Sequence, residues 1–456
     1  MKRDYKSILQ ASLLLPLVGC GATESSKDMR PNVVLIMADD LGYADISCFG
    51  GTVAQTSNID QMAKDGILLT DFHTNGAVSS PTRAALMTGQ YQQRSGVTGV
   101  ISAAAHREAG LALEEVTIAE KLSELGYRCG MFGKWHLGYP EEFNPTYQGF
   151  DEFRGFVAGN IDYHSYIDQA GYYDWWNGNQ IDRTVKGYIT DLITQNSIDF
   201  IKRNDPNKSG EPFFLYMPYP APHYPYQSVD DEPVREEGNL KQIRKVNKKD
   251  SPRIYKDIIE HTDKGIGMVM ETLRELGLEE NTMIIFCSDN GPNGSGNTGG
   301  YRGRKASVYE GGHRVPGVIK FPKMIAPNQT SDEVVMGMDF FPTFIEMAGG
   351  ESCAKSDGVS LVNFLTSGVA PEARDLFWEH GSSIAMRSKD GWKLIVTAKA
   401  DEEVKYQLFN INADPFESAD LAESECERVK SMAAAIEAWK ADVYKDTKEI
   451  IGLKAN

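Results

Sequence analysis

Short apolar runs alternate with longer stretches in which apolar residues recur every three or four positions. The runs lie at 33–38, 127–132, 213–219, 283–287 and 315–321. Their length and continuity predict strands buried on both faces rather than strands with one face to water. Helical spacing fills the intervals, at 57–65, 116–125, 188–203, 254–276 and 340–348. Strands alternating with helices predict an α/β sheet covered on both faces, with ligands bound at the carboxyl ends of its strands. From about residue 374 the texture changes to short strand-like pieces at 376–380, 384–387, 392–396 and 406–410, then a helical pattern at 424–444. These predict a small sheet plus helix beside the main domain. The boundary falls between 365 and 375, giving a main domain over 31–370 and a subdomain over 371–456.

The first thirty residues follow another logic. Lys2, Arg3 and Lys6 precede an apolar run at 8–18 that is too short to span a bilayer, so 1–19 reads as a secretory leader. Leu17-Val18-Gly19-Cys20 resembles a bacterial lipobox, which implies cleavage before Cys20 and acyl chains that bury in a leaflet. The expectation is an exported lipoprotein, periplasmic or outer-membrane associated, with a soluble secreted protein as the alternative. Polar residues at 20–30 form a tether without fold information.

A formal charge of -17 argues against a nucleic-acid partner. It also means that binding a polyanion requires the basic residues to be gathered at one place. Cysteines 48, 129, 287, 353 and 426 show no C-x-x-C spacing, which argues against a zinc or redox site. Cys129 and Cys287 lie in apolar segments and read as buried small hydrophobes. Whether Cys353 and Cys426 pair stays open.

Candidate chemistry gathers where predicted strands end. Asp39-Asp40 follows the first strand and Asp289-Asn290-Gly291 follows the fourth, offering oxygen ligands that suit a hard cation such as Ca²⁺ or Mg²⁺. Each pair alone is an ordinary turn or cap signal. Ser79-Ser-Pro-Thr-Arg83 predicts a helix with Pro81 first and Ser79 or Ser80 capping, and a helix N-terminus favours a nucleophile or anion. Arg83, one turn on, is placed to reach back toward Ser79. Gly133-Lys134-Trp135-His136-Leu137-Gly138 and Ala221-Pro222-His223 follow two further strands. The segment 159–180 resists assignment and is crowded with Asp162, Tyr163, His164, Tyr166, Tyr172, Tyr173, Trp175 and Trp176. Two readings stand: aromatic faces for stacking on sugars, or a satellite cluster that folds the loop on itself.

In order and context, these segments resemble the type I, formylglycine-dependent sulfatases of the alkaline phosphatase superfamily, in their Ser-type, bacterial carbohydrate-sulfatase form. Gly303-Arg304-Lys305, Glu310-Gly-Gly-His313-Arg314-Val-Pro316, and stretches at 338–343, 357–361 and 408–415 extend the similarity from about residue 31 to 422. The resemblance implies a large mixed sheet sandwiched by helices with a smaller C-terminal α+β subdomain. It implies that Ser79 is oxidised to Cα-formylglycine, by an anaerobic radical maturase. A calcium ion would be held by Asp39, Asp40, Asp289, Asn290 and an oxygen of residue 79. Lys134 and Lys305 would bind sulfate, Arg83 would serve the hydrate or its metal, His136 would take the hydrate proton, and His223 would act as general acid. Arg304 departs from the pattern, which usually has glycine there.

The implied substrate is a sulfated glycan, with galactose or N-acetylgalactosamine sulfate at a chain end preferred. Asp162, His164, Trp175, His313, His380 and Arg387 are candidates for the sugar-facing wall, with the alternative that His380 and Arg387 tie the small sheet to the main domain. Competing classes are a phosphatase or phosphonate monoester hydrolase of the same superfamily, and a noncatalytic glycan-binding relative.

Overall fold

The computed structural model describes residues 30–239, 251–351, 355–447 and 451. The leader, Cys20 and the tether up to residue 29 lie outside the described residues, as does Cys353; Cys426 is an exposed free thiol. Among the described residues no helix is long and apolar enough to cross a membrane.

Strand Asn32–Ala38 lies near the middle of a ten-stranded sheet and is buried along its whole length. It pairs in parallel with Phe213–Pro218 on one side and Thr282–Ser288 on the other, and Phe213–Pro218 pairs in parallel with Arg128–Lys134. These four neighbours all end at the same sheet edge. Gly317–Lys320 runs antiparallel to Thr282–Ser288, and Trp176–Asn177 runs antiparallel to Glu152–Phe156, so the sheet is mixed. The apolar runs mark its centre. Its margins, including Gln329–Ser331, Ile67–Leu69 and Gln180–Ile181, are two or three residues long, too short for a periodic signal.

Alternation along a strand sends successive side chains to opposite faces. Cys129 donates its thiol to Ala119 O of helix Ile118–Glu124, while a Cβ on Gly130 would strike the Phe200 ring of helix Ile189–Arg203. The two helices therefore cover opposite faces. On the second face, Ser251–Glu275 buries Ile254, Tyr255, Ile258, Ile259, Ile266, Val269 and Leu273, the stripe that three- and four-residue spacing writes. On the first, Thr117 and Glu120 form a reciprocal capping box that fixes the start of Ile118–Glu124.

The C-terminal part is an antiparallel meander, Leu376–His380, Ser383–Arg387, Trp392–Thr397 and Lys405–Asn410, with helix Cys426–Val443 packed on it. Its own core gathers Trp378, Leu394, Leu408, Met432, Ile436 and Trp439, with Trp439 stacked on Phe377 at 4.8 Å.

Where Arg128–Lys134 meets Glu152–Phe156, Gly133 lies opposite Gly155, and a Cβ on Gly155 would sit 2.0 Å from Gly133 O. Gly155→Ala is expected to destabilise by ~1–3 kcal/mol through overpacking. Gly210→Ala has open space at a left-handed φ of 78° and should show only the backbone strain of about 1 kcal/mol. Urea midpoints of the two variants check this: equal shifts would mean that the strands separate freely.

Candidate active site

The four parallel strands deliver their C-terminal residues to one place. Asp39 and Asp40 follow Ala38, Asp289 and Asn290 follow Ser288, Lys134 ends its strand, and His223 lies in the loop after Pro218. Ser79 enters at the head of helix Ser79–Thr88, all of which is buried. That helix starts earlier than the proline reading predicts. Val78 is its extended N-cap without a side-chain cap bond, and Pro81 is the third residue, where the missing N–H has no helical partner in any case. Ser79 is thereby released from capping and points its hydroxyl into the cluster.

Ser79 Oγ lies 3.3 Å from Asp39 Oδ1, 3.4 Å from Asn290 Oδ1 and 3.3 Å from Lys134 Nζ. Lys134 also donates to Asp39 Oδ2 at 2.6 Å, and Lys305 donates to Asp40 Oδ1. Asn290 Nδ2 donates to Asp40 Oδ1 at 2.7 Å, which leaves its amide oxygen for Ser79. Arg83 gives both Nε and Nη2 to Asp289 Oδ2, at 3.2 and 2.9 Å, and Nη1 to Lys134 O. It acts on the cluster through Asp289, and none of its hydrogen bonds among the described residues goes to Ser79. Tyr216, whose hydroxyl lies 3.4 Å from Arg83 Nη1, belongs to this shell and carries no motif that would announce it.

Burial alone would push these carboxyls up. For Asp39, Lys134, His223 and Arg83 outweigh burial and Asp40, and for Asp40 mainly Lys305 and His223 do so, so both stay below the ordinary value and ionised. Burial also lowers Lys134, with Arg83 and Lys305 adding to it, while the carboxylates more than offset burial at Lys305 and raise it.

The two histidines are set by their carbonyl partners. His136 Nε2 donates to Ile101 O at 3.2 Å, which makes Nδ1 a bare acceptor, buried and without a hydrogen bond among the described residues. Burial and the charges of Lys134, Arg83 and Lys305 hold this ring far below its ordinary pKa, hence neutral. His223 Nδ1 donates to Tyr224 O at 2.6 Å, and Nε2 faces Asp40 Oδ2 at 3.5 Å. Burial lowers His223 too, against the pull of Asp39 and Asp40. Tyr163, from the aromatic segment, holds this loop with its hydroxyl 2.9 Å from Pro220 O and 3.0 Å from His223 O. Asp40 and His136 adopt left-handed backbone, φ 63° and 61°, a strained choice for side-chain-bearing residues that the packed cluster enforces. The side chains of Lys305 and His223 are 18% and 14% exposed while those of Asp39, Lys134, Arg83 and Asp289 do not exceed 1%, so the cleft opens between Lys305 and His223.

Most of the expected sugar wall lies elsewhere. Trp175 is 1% exposed and packs on Tyr166, so its face is not available for stacking. Asp162 is fully buried and accepts four backbone N–H groups, from His164, Ser165, Val234 and Arg235; it staples the loop. His164 is half-buried, bonded to Ser228 O and tilted on Tyr188. The aromatic segment is thus largely a satellite core, for which no pattern distinguishes stacking on sugar from stacking on itself.

His313 and Arg387 belong to a buried network between the two sheets. Arg387 and Arg314 bind Asp71, which also accepts from His73 Nε2 at 2.8 Å. His73 Nδ1 lies 2.9 Å from His313 Nδ1, and His313 Nε2 lies 3.1 Å from Lys393 Nζ, which also binds Glu310 and Glu417. Both rings are neutral, and because His313 Nε2 also lies 3.2 Å from Val308 O and His73 Nε2 3.2 Å from Arg387 Nη1, each Nε2 meets both a donor and an acceptor and no single tautomer satisfies every contact. Burial, the first cause, lowers both histidines, in agreement. His313 also stacks on Trp378 at 4.1 Å. These residues join subdomain to main domain, and among the described residues none of their hydrogen bonds reaches the Ser79 cluster. His380 is half-buried on the meander, with burial lowering it, and among the described residues no hydrogen bond joins it to the Ser79 cluster. Lys393 escapes sequence reading because a lone lysine in an apolar strand looks like a solvated position.

A mixed sheet whose four central parallel strands bring matched carboxylates and cations around a buried helix-borne serine defines an anion-ester hydrolase with an alkaline-phosphatase-like fold. The family model described as Sulfatase matches residues 31–350, and the one described as N-sulphoglucosamine sulphohydrolase, C-terminal, matches 300–441. The chain belongs to the sulfatase family and is a sulfuric ester hydrolase. It is 31% identical to N-acetylgalactosamine-6-sulfatase of Mus musculus over 399 residues, covering 82% of this chain and 73% of that protein. It is 32% identical to human arylsulfatase A over 353 residues, 70% of this chain and 64% of that one. Among solved structures, Ps i-CgsB in complex with k-i-k-neocarrahexaose superposes with a TM-score of 0.80 at 28% identity, covering 92% and 94% of the two chains. Phosphonate monoester hydrolase of Agrobacterium radiobacter shares the fold alone, at a TM-score of 0.63 and 20% identity, covering 91% of this chain and 96% of that one.

Removing Lys393 would leave buried Glu417 without its cation and Glu310 with Arg314 alone, at 3.4 Å. Lys393→Met is expected to destabilise by ~3–5 kcal/mol, as breaking a buried pair does, with the loss concentrated in the subdomain. Hydrogen exchange over 376–410 checks it; unchanged protection there would show that the network does not dock the meander.

Proposed function

We propose that the protein removes a sulfate ester from a galactose-type sugar, galactose or N-acetylgalactosamine, at the end of a glycan chain, using Cα-formylglycine at position 79 and a bound calcium ion. The observation that carries this reading is the Ser79 hydroxyl, buried and held within 3.4 Å of a carboxylate, an amide oxygen and an ammonium. Asp39, Asp40, Asp289 and Asn290 would hold the ion, and an oxygen-only donor set suits calcium over zinc. Three carboxylates there face three cations, Arg83, Lys134 and Lys305, so the protein's own charges cancel. A divalent ion supplies the positive excess that an anionic sulfate requires.

As an aldehyde hydrate, residue 79 would offer two geminal hydroxyls, one to attack sulfur and one to expel the sulfate. The bare, unpartnered Nδ1 of His136 fits the second, because a buried acceptor calls for a hydroxyl donor. Lys134 and Lys305 hold sulfate oxygens, Lys305 at the open side. His223 Nε2, beside the mouth, gives a proton to the leaving sugar oxygen from the imidazolium form of the ring, which the charges of Asp39 and Asp40 favour. The names of the relatives, an N-acetylgalactosamine sulfatase and a neocarrahexaose-bound structure, support a sugar of this type. A serine at position 79 calls for the anaerobic radical maturase, and the leader with Cys20 supports action at the periplasm or outer membrane, through a lipid anchor.

Mass spectrometry of the tryptic peptide containing residue 79, from the native source, should show a loss of about two mass units with aldehyde reactivity; unmodified serine there would sink the formylglycine mechanism. His223→Ala should slow a sugar sulfate on the order of a hundredfold or more, the usual worth of a positioned acid, yet slow nitrophenyl sulfate far less, since nitrophenolate leaves without a proton. Equal losses on the two substrates would remove His223 from that role.

A further inference from the structure

Arg304, where the family pattern usually has glycine, is exposed beside Lys305 but is not loose. Its Nη2 donates to Gly294 O at 3.0 Å and to Gly296 O at 2.7 Å. Nε and Nη1 make no hydrogen bond among the described residues, and no carboxylate there forms an ion pair with the group. Asp45, which feels its charge, is buried and spends its oxygens on Gly42 N, Asn297 N and the Tyr255 hydroxyl. The backbone beneath is pinned as well: Lys305 N donates to Pro292 O at 3.1 Å and Ala306 N to Ala77 O at 2.8 Å. The first bond ties the loop to the segment after Asp289, the second to the segment before Ser79.

Arg304 stands next to Lys305, the most exposed of the cluster's cations. Tyr226 meets the ring of Tyr224, the neighbour of His223, edge-on at 6.3 Å, and its hydroxyl rests against Gly294, the residue that also anchors Arg304. The arc from His223 through Tyr226 and Gly294 to Arg304 and Lys305 therefore borders the opening. A guanidinium held by one nitrogen, with its remaining N–H groups unpaired, is preorganised for a tetrahedral oxyanion. In a chain of charge -17 such an unneutralised cation at the mouth has a disproportionate effect on a polyanion.

We infer that Arg304 binds a second sulfate of the substrate, next to the one that is hydrolysed, so that the preferred substrate is a multiply sulfated sugar. The inference rests on the galactose-type sulfatase reading and deepens it. The test is calorimetric titration of the full chain with unmodified Ser79, loaded with calcium, so that binding is read without turnover. The probes are N-acetylgalactosamine 6-sulfate and N-acetylgalactosamine 4,6-disulfate. The wild type is expected to bind the disulfate about five- to tenfold more tightly, and R304G to lose that advantage while holding the monosulfate within about twofold, the scale of one charge-assisted contact at a solvated rim. Equal affinity of the wild type for both sugars, or an unchanged preference in R304G, would overturn the assignment and leave the sulfatase reading intact. A wild type that binds neither sugar would remove the galactosamine reading and the assignment with it.

Discussion

Three carboxylates cannot be buried side by side without three cations, and this constraint organises the molecule. Asp39, Asp40 and Asp289 come from the ends of two adjacent parallel strands, and Lys134, Arg83 and Lys305 reach them from a third strand, a helix and a loop. Each pair must be complete, because an uncompensated ion in this interior costs several kcal/mol. The order of the central strands, the entry of helix Ser79–Thr88 and the left-handed backbone at Asp40 and His136 all serve that matching. In the proposed function the same preorganised charges receive the sulfate ester, which gives the stability of the sheet edge and the capacity for catalysis one origin.

The second buried network extends this order outward. Lys393 and Arg387 of the meander find their counter-charges in Glu310, Glu417 and Asp71, and Trp378 donates to Thr74 O. Glu310 and His313 follow the loop that carries Lys305 by only a few residues. The subdomain thereby backs the segment that supplies Lys305, the partner of Asp40, a structural role for residues whose type and position suggest sugar contact.

Much of the fold was legible because its evidence is local. Burial on both faces leaves continuous apolar runs, and the central strands at 32–38, 213–218 and 282–288 lie within a residue or so of those runs. The short margins were not legible, since a two- or three-residue strand exists only through its partner. Of the site, the core was readable because Ser79, Arg83, Lys134, His136, His223, Lys305 and the acidic pairs sit in motifs of fixed order. The wall was not: Trp175, Asp162, His313 and Arg387 have the side chains that bind sugars, and the same side chains also fill cores and close networks.

The sequence alone pointed to the class of chemistry, because the acidic pairs, the Ser79 segment, Lys134 and His223 stand in motifs whose order can be read from the chain, and the strand ends and helix start that carry them are set by local pattern. Tertiary structure alone decided which polar residues join the Ser79 cluster and which are spent elsewhere. Whether Arg83 serves Asp289 or Ser79 depends on a group 206 residues away, and whether His313 meets a sugar or Trp378 depends on a strand of the other sheet. Burial and pairing are properties of that neighbourhood, and no local pattern encodes them.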